Sequence, residues 1–262
     1  MNDFNIRQIF NCGQCFRFNE NPDGSVSGIA FGKFVTFTQE SEYNEFWQHY
    51  LSLDVDYAQI KREIIERFHG DPTIKAAIEY GSGIRILRQE PWEMVCSFII
   101  SQNNNIPRIK KIIAEMSRVY GEPIEGGYAF PTAEALYHAG IDGFAELKMG
   151  FRAKYVYDAA KKIVTGELNL DEVRLSSTQD ALSLLQNVKG IGLKVASCAL
   201  LFGFEKYDVF PIDVWVRRVI EKYYPNGLDI DALGEYAGIA QQYLFYYERY
   251  TNIRERTSGA LG

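Results

Sequence analysis

The stretch Val188–Ala196, with the sequence VKGIGLKVA, predicts a tight hairpin between two amphipathic helices. Glycine tolerates positive φ and lets another backbone approach closely, which suits Gly190 and Gly192 to such a turn. The second helix begins with free backbone N–H groups, and its dipole favours an anion such as phosphate at the same place. Lys194 follows the turn directly, so we expect an amine beside this anion site.

A second stretch, Pro211-Ile212-Asp213, predicts the start of another helix. Aspartate is a favoured first residue because its side chain accepts hydrogen bonds from free N–H groups, and Pro211 fixes the direction of the entering chain. A carboxylate and an amine near a phosphate-binding hairpin indicate chemistry on the sugar of a nucleic acid. As a plain helix cap, Asp213 would contribute only roughly 1 kcal/mol, and that interpretation stays open here.

Composition and charge limit the classes of function. The chain has 262 residues, a net charge of −6 and no apolar run long enough to span a bilayer. Its acidity argues against a protein that coats nucleic acid through a general positive field, but not against a local site. We expect a monomer without a membrane partner, cytoplasmic and nucleoid-associated in a prokaryote or nuclear in a eukaryote.

The pair Cys12 and Cys15 has the CxxC spacing of redox and zinc sites. Further zinc ligands are missing from the pattern, because Cys96 lies in an apolar helical run and the histidines are scattered. A thioredoxin-type motif opens a helix after a buried strand, whereas residues 14–18 alternate like a strand themselves. We therefore predict neither zinc nor redox chemistry.

The periodicity predicts an α+β protein: an N-terminal antiparallel β-sheet subdomain followed by mostly α-helical subdomains. Residues 4–39 are β-like, and helical periodicity follows Ser41, for example over Ile106–Tyr120 and Ile230–Tyr250. The predicted units are residues 1–90 with the sheet and flanking helices, 91–252 with the hairpin at about 184–203, and a C-terminal tail, 253–262.

These motifs resemble the helix-hairpin-helix DNA glycosylases, in which such a hairpin precedes a Gly/Pro-rich stretch and an aspartate. Three further stretches are similar to the 8-oxoguanine branch of that family: Gly13–Arg17 (GQCFR), Asn103–Arg108 (NNNIPR) and Gly150–Tyr155 (GFRAKY). The resemblance implies excision of 8-oxoguanine opposite cytosine from double-stranded DNA. It covers residues 3–250, nearly the whole chain.

The resemblance implies that Lys194 attacks C1′ of the damaged nucleotide and that Asp213 stabilises the positive charge on the sugar. Attack requires the unprotonated amine, which burial favours and a nearby carboxylate opposes. A lysine at this position also implies a lyase step, β-elimination at the abasic site.

The target nucleotide must leave the duplex before C1′ can be reached. The resemblance implies that the Gly13 carbonyl accepts a hydrogen bond from N7–H of the lesion and that Gln241 binds the Watson–Crick edge of the base. Cys198 and Phe245 would enclose the two faces of the base.

The resemblance also implies contacts with the duplex. Phe151 would act as a wedge, Asn103 would fill the vacated space, and Arg108 and Arg152 would donate to the orphaned cytosine. Gly190, Gly192 and Trp215 complete the predicted DNA contacts; relatives often carry histidine at the position of Trp215 and proline at that of Lys189.

No cofactor is required by this chemistry. The backbone carbonyls of Gln186, Val188 and Ile191 match positions that hold a monovalent cation in the superfamily. No four-cysteine cluster follows the catalytic region, so neither an iron–sulfur centre nor zinc is expected.

Two alternatives remain at this stage. An alkylpurine DNA glycosylase would share the sheet, hairpin and aspartate but normally lacks the lysine. A non-catalytic helix-hairpin-helix DNA-binding module would leave Gly13 and Asp213 unexplained.

Overall fold

The computed structural model describes the backbone of residues 4–259 and the side chains of residues 4–252. Three antiparallel strands, β1 (Phe18–Glu20), β2 (Val26–Ala30) and β3 (Lys33–Phe37), form a sheet in the order β1-β2-β3. A small ribbon pairs β4 (Pro123–Ile124) with β5 (Gly127–Tyr128). The α-helices are α1 (Ile6–Asn11), α2 (Glu45–Tyr50), α3 (Tyr57–Arg67), α4 (Pro72–Tyr80), α5 (Pro91–Ser101), α6 (Ile106–Tyr120), α7 (Ala133–Gly143), α8 (Arg152–Val164), α9 (Leu170–Leu175), α10 (Thr178–Gln186), α11 (Leu193–Gly203), α12 (Val214–Tyr223) and α13 (Ala237–Gly259). The predicted α+β fold is confirmed.

The N-terminal sheet packs around aromatic rings. The turn between β1 and β2 closes with Gly24 donating to the Asn21 carbonyl at 2.9 Å, and Gly24 has the positive φ of 83° that glycine adopts at low cost. Phe10 from α1 stacks on Phe37 from β3, with ring centroids 5.2 Å apart. The sheet thus gains its own core, separate from the larger helical one.

The prediction of β structure from residue 4 is wrong at two places. Residues 6–11 form α1, and residues 14–17 lie outside the strands although their apolar residues alternate. The reason is Gln14, whose buried amide donates to the carbonyls of Ile9 and Arg85 and accepts from the Leu87 N–H. Side-chain bonds therefore replace the ladder that a strand would need.

The helical core centres on α5 and α11, which are apolar nearly all round and buried along most of their length. Phe98 of α5 stacks on Phe202 of α11, with ring centroids 5.3 Å apart. Ile64 of α3 and Ile74 of α4 pack into this same core, although both precede residue 90. One end of α11 is thereby fixed next to the hairpin.

The C-terminal helix differs from the predicted Ile230–Tyr250 at both ends. Residues 231–236 form a 3₁₀ helix with a break at Gly234, whose φ is 53°, and α13 begins only at Ala237. Arg67 donates to the Leu233 carbonyl at 3.0 Å and so holds the break. The helix then continues to Gly259, through most of the predicted tail; residues 260–262 of that tail lie outside the described residues.

Candidate active site

A cleft of about 820 Å³ runs between the hairpin, the Gly13 loop, the turn after α5 and one face of α13. It brings together residues that are far apart in the sequence. The predicted site residues that line it are Gly13, Asn103, Gly192, Lys194, Cys198, Asp213, Trp215, Gln241 and Phe245.

The hairpin between α10 and α11 is built around Gly190. Gly190 has φ 83°, and a Cβ placed on it would lie 2.3 Å from the ring of Tyr155 on α8. The same helix binds the turn through Asp158, which accepts from the Lys189 N–H at 2.7 Å. Gly192 has an ordinary φ of −95° and open space beside it, so neither the backbone conformation nor packing within the described residues requires glycine there.

Lys194 projects from the first turn of α11 into the cleft and is half-buried. Its ammonium lies 5.8 Å from the centroid of the Phe98 ring. Cys198, one helical turn further on, is buried; burial raises the pKa of its thiol, although Lys194 pulls that pKa the other way. Cys198 is therefore a neutral, compact apolar surface beside the amine.

Asp213 begins α12, as predicted. Its Oδ1 accepts from the backbone N–H groups of Trp215 and Val216, both at 2.9 Å. The carboxylate therefore serves as a helix cap and also lines the cleft that contains Lys194. Capping fixes the side chain in one orientation, which suits a group that must stabilise charge at a defined point.

The Gly13 loop is held by buried amides on both sides. The Cys12 carbonyl accepts from Gln242 at 2.6 Å, and the Gln14 carbonyl accepts from Gln89 at 2.9 Å. Gly13 itself has φ 83°, and a Cβ on it would lie 3.4 Å from the Phe245 ring. A backbone carbonyl so fixed can recognise a ligand edge because it need not be ordered on binding.

One face of α13 supplies the opposite wall. Phe245 is half-buried, and its ring faces the Gly13 loop. Gln241 is 4% exposed, and its Oε1 has no hydrogen-bond partner among the described residues. A buried acceptor without a partner costs about 1–3 kcal/mol, which a ligand with a matching donor recovers.

The turn after α5 carries Asn103, which lines the cleft with a positive φ of 46°. Arg152 is buried and donates through Nε to the Gln102 carbonyl at 2.7 Å and through Nη2 to the Asn103 carbonyl at 2.8 Å. Burial and the nearby Arg108 lower the pKa of Arg152. In this structure Arg152 thus positions the turn instead of facing the cleft.

Three further residues that the sequence assigns to DNA contacts differ in exposure and in the groups that they pack against. Phe151 is 42% exposed and packs on Tyr155, with ring centroids 5.7 Å apart. Arg108 is exposed and donates to the Lys148 carbonyl at 3.1 Å. Trp215 lines the cleft with the Arg218 guanidinium 4.6 Å from its ring centroid.

The CxxC cysteines are buried beneath the Gly13 loop. Burial raises the pKa of Cys12 to about 12 and that of Cys15 further still. Both are therefore protonated thiols at neutral pH and unsuited to redox chemistry or metal binding. Within residues 4–252, no three His, Cys, Asp or Glu side chains are arranged to hold a metal ion.

None of the described helices combines the length and apolarity that crossing a bilayer requires.

For some residues of this site, no structural role could be assigned from the sequence. Gln14, Gln89 and Gln242 act through bonds to carbonyls distant in the chain, which no local pattern reports. Arg249 lines the cleft too. Its spacing of four from Phe245 and eight from Gln241 could have indicated a shared helix face.

The chain is similar to known proteins of base excision repair. Residues 1–43 and 38–95 match the family described as 8-oxoguanine DNA glycosylase, N-terminal domain, and residues 96–231 match the HhH-GPD superfamily base excision DNA repair proteins. The chain belongs to the HhH-GPD superfamily of base excision DNA repair proteins. Within it, the resemblance to the 8-oxoguanine glycosylases is confirmed.

A solved 8-oxoguanine glycosylase/lyase of Clostridium acetobutylicum, bound to double-stranded DNA with cytosine opposite 8-oxoguanine, is 38% identical with a TM-score of 0.87. The match covers 96% of this chain and 94% of that one. An N-glycosylase/DNA lyase of Saccharomyces cerevisiae is 37% identical over 158 residues, 54% of this chain but only 42% of the yeast protein. A 3-methyladenine DNA glycosylase of Archaeoglobus fulgidus, at 23% identity, TM-score 0.66, and coverage of 90% and 87%, shares the fold.

Proposed function

We propose that this protein excises 8-oxoguanine opposite cytosine from duplex DNA and then nicks the strand at the resulting abasic site. The observation that carries the proposal is the joint placement of Lys194, Asp213, Gly13 and the unpartnered Oε1 of Gln241 in one cleft. The first two residues supply chemistry at the sugar, and the other two supply recognition of the base.

The reaction begins with a nucleotide flipped into the cleft. Nζ of Lys194, as the free amine, forms a bond to C1′ while the bond from C1′ to N9 breaks, and the base leaves with the electron pair of that bond. The Lys194 nitrogen becomes positively charged on bonding and gives up a proton, which neutralises the departing base. Asp213 stabilises the positive charge that develops on the sugar. The sugar ring opens to a Schiff base, and loss of a C2′ proton then expels the 3′ phosphate.

Recognition falls to the opposite wall of the cleft. The Gly13 carbonyl accepts from N7–H of 8-oxoguanine and repels the N7 lone pair of guanine. Gln241 pairs with the Watson–Crick edge, and Phe245 covers one face of the base while Cys198, from α11 on the other wall, covers the second face. Leaving any of these buried polar groups unpaired is costly, which is the basis of strong selectivity.

The DNA duplex is held by the hairpin and by the turn after α5. Gly190 and Gly192 allow the backbone to approach a phosphate, and Trp215 lies beside it. Asn103 fills the space left by the flipped nucleotide, and Phe151 wedges the stack. Arg108 donates to the orphaned cytosine together with Arg152, which first releases the carbonyls that it binds in the free protein.

A monovalent cation fits the carbonyls of Gln186, Val188 and Ile191. Gln186 is the last residue of α10, where the helix dipole is negative and carbonyl groups lack helical partners. Val188 and Ile191 lie in the turn that follows, and the Val188 carbonyl also accepts from the Ile191 N–H at 3.0 Å. Such a cation would link the hairpin to a DNA phosphate; no step of the reaction depends on it.

Borohydride trapping tests the proposal. The wild-type protein should become covalently attached to a duplex with 8-oxoguanine opposite cytosine, because borohydride reduces the Schiff base. Lys194→Gln should abolish the adduct, whereas Lys111→Gln, an exposed lysine on α6, should trap like the wild type.

Two outcomes would contradict the proposal. Unchanged trapping by Lys194→Gln would exclude Lys194 as the nucleophile. Release of 3-methyladenine without action on 8-oxoguanine would instead identify an alkylpurine glycosylase.

A further inference from the structure

Arg249 extends the cleft-lining face of α13 beyond the residues already assigned. Gln241, Phe245 and Arg249 are spaced four residues apart, so they share one side of the helix and follow one another at intervals of about 6 Å. All three line the cleft. An amide, an aromatic ring and a guanidinium therefore succeed each other along one wall.

The Arg249 guanidinium lies close to the Gly13 loop. A Cβ on Gly13 would be 3.4 Å from Nη1 of Arg249, the same distance as from the Phe245 ring. The guanidinium carbon is 5.7 Å from the Phe245 centroid and 5.3 Å from that of Tyr250. These rings hold the side chain at the mouth of the base pocket.

Arg249 is half-buried, yet within residues 4–252 no carboxylate or carbonyl accepts a hydrogen bond from it. Its guanidinium instead lies near the rings of Phe245 and Tyr250 and next to the Gly13 loop. A planar group with five N–H donors is thus available to a ligand in the cleft.

The hydrogen-bonding groups of 8-oxoguanine are complementary to those of Gly13 and Arg249. At the imidazole edge of 8-oxoguanine, the donor N7–H lies directly beside the acceptor O8. The Gly13 backbone offers a carbonyl acceptor, and Arg249 next to it offers donors. Guanine presents the opposite arrangement, an acceptor at N7 and only C8–H beside it.

We propose that Arg249 is a specificity-determining residue whose guanidinium donates a hydrogen bond to O8 of 8-oxoguanine. This inference rests on the proposed function. A base over Phe245 with its Watson–Crick edge towards Gln241 has its imidazole edge towards Arg249, about one helical turn away. The lesion is then recognised at both positions where it differs from guanine, N7 by Gly13 and O8 by Arg249.

A phosphate is the competing ligand for an arginine at a cleft mouth. Loss of a phosphate contact would slow the reaction of every DNA substrate. Loss of a contact to O8 would slow only the reaction of a substrate that still carries the base. A duplex with a preformed abasic site has no base and therefore separates them.

The test measures two single-turnover rates, excision from an 8-oxoguanine duplex and nicking of an abasic-site duplex. Arg249→Met retains an unbranched apolar side chain against Phe245 and Tyr250 but removes the donors. We expect excision to fall about 10- to 100-fold, the usual effect of losing a hydrogen bond to a charged group, and nicking to stay within about twofold of wild type. Arg249→Lys keeps the charge but lacks the planar fork, so its excision rate should lie between those of the wild type and Arg249→Met.

Arg118→Met, an exposed arginine of α6, is the control for removal of a positive charge and should leave both rates unchanged. Equal losses in excision and nicking for Arg249→Met would overturn the proposal in favour of a phosphate contact or a purely structural role. Unchanged excision would overturn it as well. A wild-type protein inactive on 8-oxoguanine would instead remove the proposed function on which the inference depends.

Discussion

The two walls of the cleft are built in different ways. The wall with Lys194 and Asp213 comes from consecutive elements, the hairpin, α11 and α12. Lys194 lies in the first turn of α11, and Asp213 caps the start of α12. The wall with Gly13 and Phe245 joins the two ends of the chain through bonds such as that from Gln242 to the Cys12 carbonyl. Chemistry thus depends on local structure, whereas recognition depends on long-range contacts.

The two hairpin glycines test whether the wall with Lys194 is held by local structure. Gly190→Ala should lower the free energy of unfolding by about 2 kcal/mol, because alanine at φ 83° is strained and its Cβ would meet Tyr155. Gly192→Ala, with an ordinary φ and open space, should change it by less than about 0.5 kcal/mol. Denaturant titration of both variants measures the difference.

At Gly192 we expect the substitution to alanine to lower the affinity for DNA and not the stability of the fold. A methyl group there stands between the hairpin backbone and a phosphate, so Gly192→Ala should bind duplex DNA more weakly although it folds normally. Equal destabilisation by the two substitutions would show that the hairpin is not held through Gly190.

A pH-dependent effect concerns Arg17, the last residue of the motif that begins at Gly13. Arg17 pairs with Glu93 of α5 at 3.4 Å, and both side chains are nearly buried. Burial raises the pKa of Glu93 to about 7, although Arg17 opposes the shift. The folded protein therefore keeps this proton at pH values where the unfolded chain has lost it.

The free energy of unfolding should therefore fall as the pH rises. A raised carboxyl pKa in the folded state means that stability is fully present below the unfolded value and is lost as pH rises towards 7. Between pH 5 and 8 the wild type should lose up to about 3 kcal/mol relative to Glu93→Gln, which has no proton to release. Thermal unfolding at several pH values measures this, and a pH-independent difference would contradict it.

The sequence was most informative where structure is local. The hairpin, the cap at Asp213 and the strongly periodic α6 each depend on residues within a few positions, and the structure has all three. Short helices lack enough turns to establish a period, so three of them were missed. These are α1, α4 and α9.

Other features depended on partners that sequence spacing does not reveal. Alternating residues beside Gln14 imitate a strand, but its amide is bonded to two backbone groups more than seventy residues away, the Arg85 carbonyl and the Leu87 N–H. The burial of Arg152 under the turn at Asn103 and the position of Arg249 beside Gly13 are tertiary as well. A resemblance to a family supplies residue roles but not these contacts.

The separation of the two walls is tested most directly with Gln242→Leu. This variant keeps the volume of a buried side chain but loses the bond that holds the Cys12 carbonyl next to Gly13. The quantity to measure is the rate of 8-oxoguanine excision divided by the rate of nicking at a preformed abasic site. We predict that this ratio falls at least about tenfold while nicking is maintained; an unchanged ratio, or nicking lost in parallel with excision, would contradict the account.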